Sequence, residues 1–186
     1  LVFLGTRSGC AAVAVGGTAT AVGVAHDRRT AGAIVDDQAI ELKALDAFSR
    51  DLSFENAHIN VTSYNNSVLL SGEVANPDLR RRAENMVRRL GGVERVYNYL
   101  DVGPASPLAS RGSDTWITTK AKTVLLRIES LPNFDPTRVK VVTERGVVYL
   151  FGLLTEREAD AVTSAVRRID GVQKVVKLFE PQAAST

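Results

Sequence analysis

Apolar positions along the chain recur with two periods, and the periods follow one another in a fixed order. Ile40, Ala44, Ala47 and Phe48 keep helical spacing behind Asp36-Asp37, whose carboxylates can meet free N–H groups at a helix start. His58 to Thr62 then alternates as a strand and turns at Asn65-Asn66. A second strand runs through Val68-Leu69-Leu70 to Gly72. Asn76-Pro77, an N-cap with proline at the first helical position, opens a second helix that stops at Gly91-Gly92. Val93 to Leu100 closes the unit as a last strand, giving αββαβ.

The same order then repeats at a shift of 77 to 80 residues. Asp37 aligns with Asp114, Lys43-Ala44 with Lys120-Ala121, and Val68 to Gly72 with Val148 to Gly152. Arg88 to Val93 aligns with Arg167 to Val172. In the second copy Ser113-Asp114 marks the first helix start, with Ile117, Ala121, Val124, Leu125 and Ile128 as its apolar positions. Arg138 to Val142 reads as a strand turning near Arg145-Gly146, Thr155-Glu156 starts the second helix, and Val172 to Phe179 closes the copy. The expected class is α+β. Each unit should hold a small three-stranded mixed sheet packed on two helices, behind a flexible N-terminal tether. The expected division is 1–9 as the end of a signal peptide, 10–35 as tether, 36–101 and 113–179 as domains, 102–112 as linker and 180–186 as tail. Copies this small bury limited apolar area, so the two are expected to dock on each other.

Composition narrows the function classes. The chain has 186 residues, 45% apolar, with 23 basic and 21 acidic residues for a net charge of +2. That near balance argues against a whole-protein field for nucleic acid. Arg80-Arg81-Arg82 and Arg88-Arg89 sit among Asp78 and Glu84, as on a solvated helix face. A single Cys excludes an internal disulfide and a thiolate zinc cluster. No phosphate loop or serine elbow occurs, His26 and His58 read as surface histidines, and the paired carboxylates are explained as caps. The expectation is no enzyme, no cofactor, no metal and no small-molecule substrate. Ser8-Gly9-Cys10 behind an apolar start fits the end of a lipoprotein signal peptide, in which Cys10 would be acylated, although Arg7 stands where an aliphatic residue is usual. A free Cys in an N-terminal arm is the competing reading.

The first helix of the second copy is unusual. On a helical wheel, Ile117, Val124, Leu125 and Ile128 cluster around Ala121, at roughly 100° per residue. The opposite side carries Trp116, Thr119, Thr123 and Leu126, flanked by Lys120, Lys122 and Arg127. An exposed aromatic and an aliphatic residue bordered by cations suit an interfacial helix on an anionic bilayer. Cover by another domain or by the tether would explain the same residues. In the first copy Ala39, Leu42 and Asp46 replace Trp116, Thr119 and Thr123, and Glu41, Asp46 and Asp51 make the helix acidic.

The double αββαβ repeat, the Gly-Val-x-x-Val start of each closing strand and the segment Asp114-Thr115-Trp116-Ile117-Thr118-Thr119-Lys120 resemble the BON domain family. Asp27-Arg28-Arg29 and Leu154 to Ala159 extend the likeness. Two such domains behind a lipid-attachment Cys resemble the dual-BON lipoproteins of the Gram-negative outer membrane. The resemblance implies acylation at Cys10 and a position on the periplasmic face of the outer membrane. It also implies binding of anionic phospholipid, phosphatidylglycerol among others, through the first helix of the second domain, and a role in envelope integrity at division sites. The alternative is a protein-interaction adaptor for outer-membrane assembly or division proteins that uses the same exposed face, with Trp116 and Leu126 as its anchors.

Overall fold

A computed structural model describes residues 27–106, 108–128, 131 and 133–182. Cys10, His26 and the remaining positions singled out before residue 27 lie outside the described residues, as do 183–186 of the tail.

Two units of the expected class appear. The first comprises α1 (Ala31–Arg50), β1 (His58–Tyr64), β2 (Ser67–Val74), α2 (Pro77–Arg88) and β3 (Arg95–Val102). The second comprises α3 (Leu108–Leu125), β4 (Lys140–Glu144), β5 (Val147–Leu154), α4 (Glu156–Val166) and β6 (Lys174–Pro181). In each sheet the second strand is central, antiparallel to the first and parallel to the third. Both hairpins turn on two left-handed residues, Asn65-Asn66 and Arg145-Gly146, the mirror-image turn that matches strand twist. Asn76 caps α2 at the Leu79 N–H, and Thr155 with Glu158 forms a reciprocal capping box on α4.

Several boundaries differ from the sequence reading, each for a local reason. Helix α1 begins at Ala31, so 31–35 are helix rather than tether; the Thr30 hydroxyl accepts from the Ala33 N–H and caps it. Helix α3 begins at Leu108, inside the expected linker, and its start is therefore not Ser113-Asp114. Asp37 and Asp114 do not cap their helices. Each lies within its helix, buried, and its carboxylate receives the N–H groups of the adjacent hairpin turn. Asp37 accepts from Asn65 N, Asn66 N and the Ser63 hydroxyl at 2.7, 3.0 and 2.6 Å. Asp114 accepts from Arg145 N and Gly146 N, both at 2.8 Å. Gly72 and Gly152 do not end their strands, which run on to Val74 and Leu154. At Gly72, φ is +112° and a Cβ would stand 2.0 Å from the His58 carbonyl oxygen, so the position tolerates no side chain. The closing strands, β3 and β6, both start two residues later than the periodicity suggests.

Each unit has its own core between sheet and helices. Ile40, Ala44, Phe48, Val68, Leu70, Ala83, Val87 and Leu100 fill the first; Ile117, Ala121, Leu125, Val148, Leu150, Val162 and Val166 fill the second. A third cluster joins them. Tyr64 and Leu69 of one sheet meet Tyr149, Phe151, Val176 and Leu178 of the other, so the two sheets pack through the faces their helices leave bare. This is why every residue of β2 is buried. Tyr64 stacks on Phe151 with centroids 5.7 Å apart, and Tyr99 meets Tyr149 edge-on at 5.1 Å.

Polar contacts across this interface come in exchanged pairs. Tyr64 reaches the backbone of Arg138 and Leu153, whereas Glu144, its counterpart in the repeat, reaches His58 and lies beside Glu73, the counterparts of those two. Asn65 donates to Glu180, and its counterpart Arg145 donates to Asp101. Such reciprocity is the signature of two-fold packing, here within one chain.

Candidate lipid-facing site

The expected site residues fall along one side of α3 and just beyond its end. Ile117, Ala121 and Leu125 point into the core, which leaves Trp116 49% and Leu126 72% exposed. Among the described residues neither is covered. Thr119, Lys120, Lys122 and Arg127 are exposed and Thr123 is half-buried. Leu126 and Arg127 are not on the helix; they occupy the turn that follows Leu125.

The threonines make this side more apolar than their composition suggests. Thr115, Thr119 and Thr123 each donate to the carbonyl four residues back, at 3.0, 2.9 and 2.9 Å. Their hydroxyl donors are thereby spent inside the helix. The only acid between 108 and 127, Asp114, is consumed by the Arg145-Gly146 turn. Among the described residues none of Lys120, Lys122 and Arg127 forms an ion pair, while the Lys120 ammonium stands 5.3 Å from the centre of the Trp116 ring.

The residues form two groups rather than one patch. Trp116 and Lys120 border a shallow hollow against Ala165, Arg168, Ile169 and Asp170. Lys122 and Leu126 instead line a groove of about 580 Å³ between the domains, with Ile34, Tyr64, Val139 and Val141 as its apolar wall. The wheel could not separate these, because it carries no information on where the other domain sits.

Part of the groove's domain-1 wall, Arg29 and Ile34, comes from a segment expected to be loose tether. Arg28 donates to both carboxylate oxygens of Glu158 at 2.6 and 2.9 Å and to the Leu153 carbonyl at 2.8 Å. Burial raises the cost of the Glu158 charge, but the hydrogen bonds from Arg28 and Thr155 outweigh it and hold this carboxyl below its ordinary value. Arg29 stacks over the Tyr64 ring at 4.0 Å and pairs with Asp27 and Asp37. Burial, with Asp27 nearby, pushes the Tyr64 phenol up to about 12. The arginines of α2 pair with acids as expected of a solvated face: Arg81 with Asp78, Arg82 with Asp51 and Arg88 with Glu84.

The first-domain helix exposes apolar side chains among its acids. Val35, Leu42 and Leu45 are 63%, 69% and 47% exposed, beside Asp36, Glu41 and Asp46. His58 also departs from the surface reading. Its ring is largely enclosed, hydrogen-bonded to buried Glu73 at 3.0 Å and 3.9 Å from buried Glu144.

Comparison with known proteins agrees with this architecture. The BON domain family matches residues 36–104 and 113–181. The outer membrane lipoprotein DolP of Haemophilus influenzae is 37% identical over 176 residues, 92% of this chain and 88% of that protein. A 21 kDa hemolysin of Actinobacillus pleuropneumoniae is 37% identical over 154 residues, 82% of this chain and 78% of that one. Among solved structures, CdsD, a structural protein of the type III secretion system of Chlamydia trachomatis, aligns with a TM-score of 0.30 and 14% identity. That alignment covers 79% of this chain and 65% of CdsD.

Proposed function

Because the chain belongs to the BON domain family, with two BON domains in tandem, we propose that its second domain binds anionic phospholipid through α3 and thereby supports the integrity of the cell envelope. The chain is an outer-membrane lipoprotein of this family, and among the described residues no helix is long and apolar enough to cross a membrane. Acylation at Cys10 would supply the anchor, and α3 would supply a second, headgroup-level contact. One acyl chain holds a protein at a membrane only marginally, whereas two or more anchor it stably, so α3 would set how the second domain sits on the bilayer.

The observation that carries the proposal is the side of α3: exposed Trp116 with Lys120 beside it, three cations without acid partners among the described residues, and threonines whose donors are internally satisfied. Moving Trp116 into the interface is worth about 1.5–3 kcal/mol if burial is complete, and each Lys or Arg near an anionic surface adds about 1 kcal/mol. No acid–base, nucleophile or phosphate-loop constellation accompanies the site, and we read the protein as non-enzymatic.

The test is sedimentation of the chain carrying Cys10→Ser, which cannot be acylated, with vesicles of phosphatidylglycerol or of phosphatidylcholine. Binding to the first only, lost in Trp116→Glu, supports the proposal; equal binding to both, or retention in Trp116→Glu, contradicts it. A second reading, an adaptor for outer-membrane assembly or division proteins, is favoured by the exposed Val35, Leu42 and Leu45 on α1, where neighbouring acids disfavour an anionic bilayer.

A further inference from the structure

Where the two sheets meet, His58 and Glu73 of the first domain and Glu144 of the second converge. We propose that these three side chains hold a divalent transition-metal ion, Zn²⁺ or a close relative, that clamps one BON domain to the other. Their donor atoms all lie within 4.8 Å of one another. His58 Nδ1 is 3.0 Å from Glu73 Oε2 and 3.9 Å from Glu144 Oε1. Zinc bonds of about 2.0–2.2 Å place tetrahedral ligand atoms about 3.3–3.6 Å apart, so His58 Nδ1 and Glu144 Oε1 need close by only a few tenths of an ångström around an ion, with Glu73 entering through its free Oε1. One imidazole and two carboxylates suit Zn²⁺ in donor type, with water completing the shell.

A second observation is independent of the clustering. Glu73 is 1% exposed, yet its Oε1 makes no hydrogen bond. A buried carboxylate oxygen is not left bare without cost, and a cation removes that cost. Arg145 does not take this role well: its Nε stays 4.0 Å from Oε1, the side chain is half exposed, and its guanidinium also pairs with Asp101. The other oxygens are already held from behind. Asn60 Nδ2 donates to Glu144 Oε2 at 2.7 Å, and the Ser106 N–H and hydroxyl donate to Glu73 Oε2 at 3.1 and 3.3 Å. Partners of this kind orient carboxylate ligands toward a metal.

The repeat supplies a control. Arg138, Leu153 and Tyr64 stand at the positions equivalent to His58, Glu73 and Glu144, so the mirrored side of the interface has no ligand set. The cluster belongs to the pairing of two domains, not to the single BON unit, and it is independent of the lipid reading.

The experiment is calorimetric titration of ZnCl₂ into the full chain carrying Cys10→Ser, which removes the only thiolate. One ion per chain is expected, with affinity reduced at least about tenfold in His58→Gln and in Glu144→Gln. Circular dichroism of both variants confirms that they fold. Co²⁺ added to the intact chain should give the visible absorption of a low-symmetry protein site and lose it in His58→Gln. Absence of binding, affinity unchanged in both variants, or a Co²⁺ spectrum identical to the aqueous ion would overturn the proposal.

Discussion

Asp37 and Asp114 show how one residue ties two elements together. Both sit on the first helix of their unit and accept N–H groups from the hairpin turn beside it. The sequence made their pairing in the repeat obvious, but not their role, because a carboxylate near an expected helix start looks like a cap. Only the true starts, at Ala31 and Leu108, remove that reading. Hydrogen bonds to a charged group contribute roughly 1.5–3 kcal/mol. Asp114→Asn keeps one acceptor of two and should cost about 2 kcal/mol in denaturant unfolding. Asp37→Asn should cost more, since Asp37 also serves Ser63 and Arg29; equal losses would contradict this assignment. Glu158 makes a pH prediction. Its folded pKa lies below the ordinary 4.5, so its contribution is present above that value and is lost as pH falls through the depressed one. Glu158→Gln should therefore lower the unfolding midpoint at pH 7 and have progressively less effect below pH 4.5. A loss that is independent of pH would show that Glu158 acts through the cap geometry alone.

At the scale of elements, helices and strands were legible and their ends were not. Periodicity found the four α-helices and six strands of the described residues because each buries one face against its own core. The outer faces of the sheets carried the missed information. Val147-Val148-Tyr149-Leu150-Phe151 is apolar on both faces, the mark of a strand covered on both sides, and it foretold the second sheet packed upon it. For α3 the wheel identified the exposed residues but merged two groups that the other domain separates, Trp116 with Lys120 and Lys122 with Leu126. Lys122→Glu changes the local charge by two and should weaken binding to anionic vesicles by about 2 kcal/mol, roughly 30-fold, at low salt. The difference should shrink as salt rises. An effect that persists undiminished at high salt would place Lys122 in a structural role at the groove.

At the scale of the whole molecule, two small cores are fused by a third. Phe151, 1% exposed, belongs to that third cluster and to neither domain core. Truncating a buried Phe costs about 3–5 kcal/mol. Phe151→Ala should therefore lower stability by roughly 3 kcal/mol and raise amide exchange in β2 as well as in β5, because both strands lose cover; exchange confined to the second domain would contradict a shared interface. Docking in this manner fixes where α3 faces and leaves its Trp116 side free of the other domain. The central claim is that this side enters anionic membrane, and Trp116 is the only tryptophan in the chain, so its emission reports one site. The decisive measurement is the Trp116 fluorescence of the chain carrying Cys10→Ser during titration with phosphatidylglycerol vesicles and, separately, with phosphatidylcholine vesicles. The account predicts a saturating blue shift with the first, weakened by salt, and none with the second. An unchanged emission maximum with phosphatidylglycerol, or the same shift with both lipids, would contradict it.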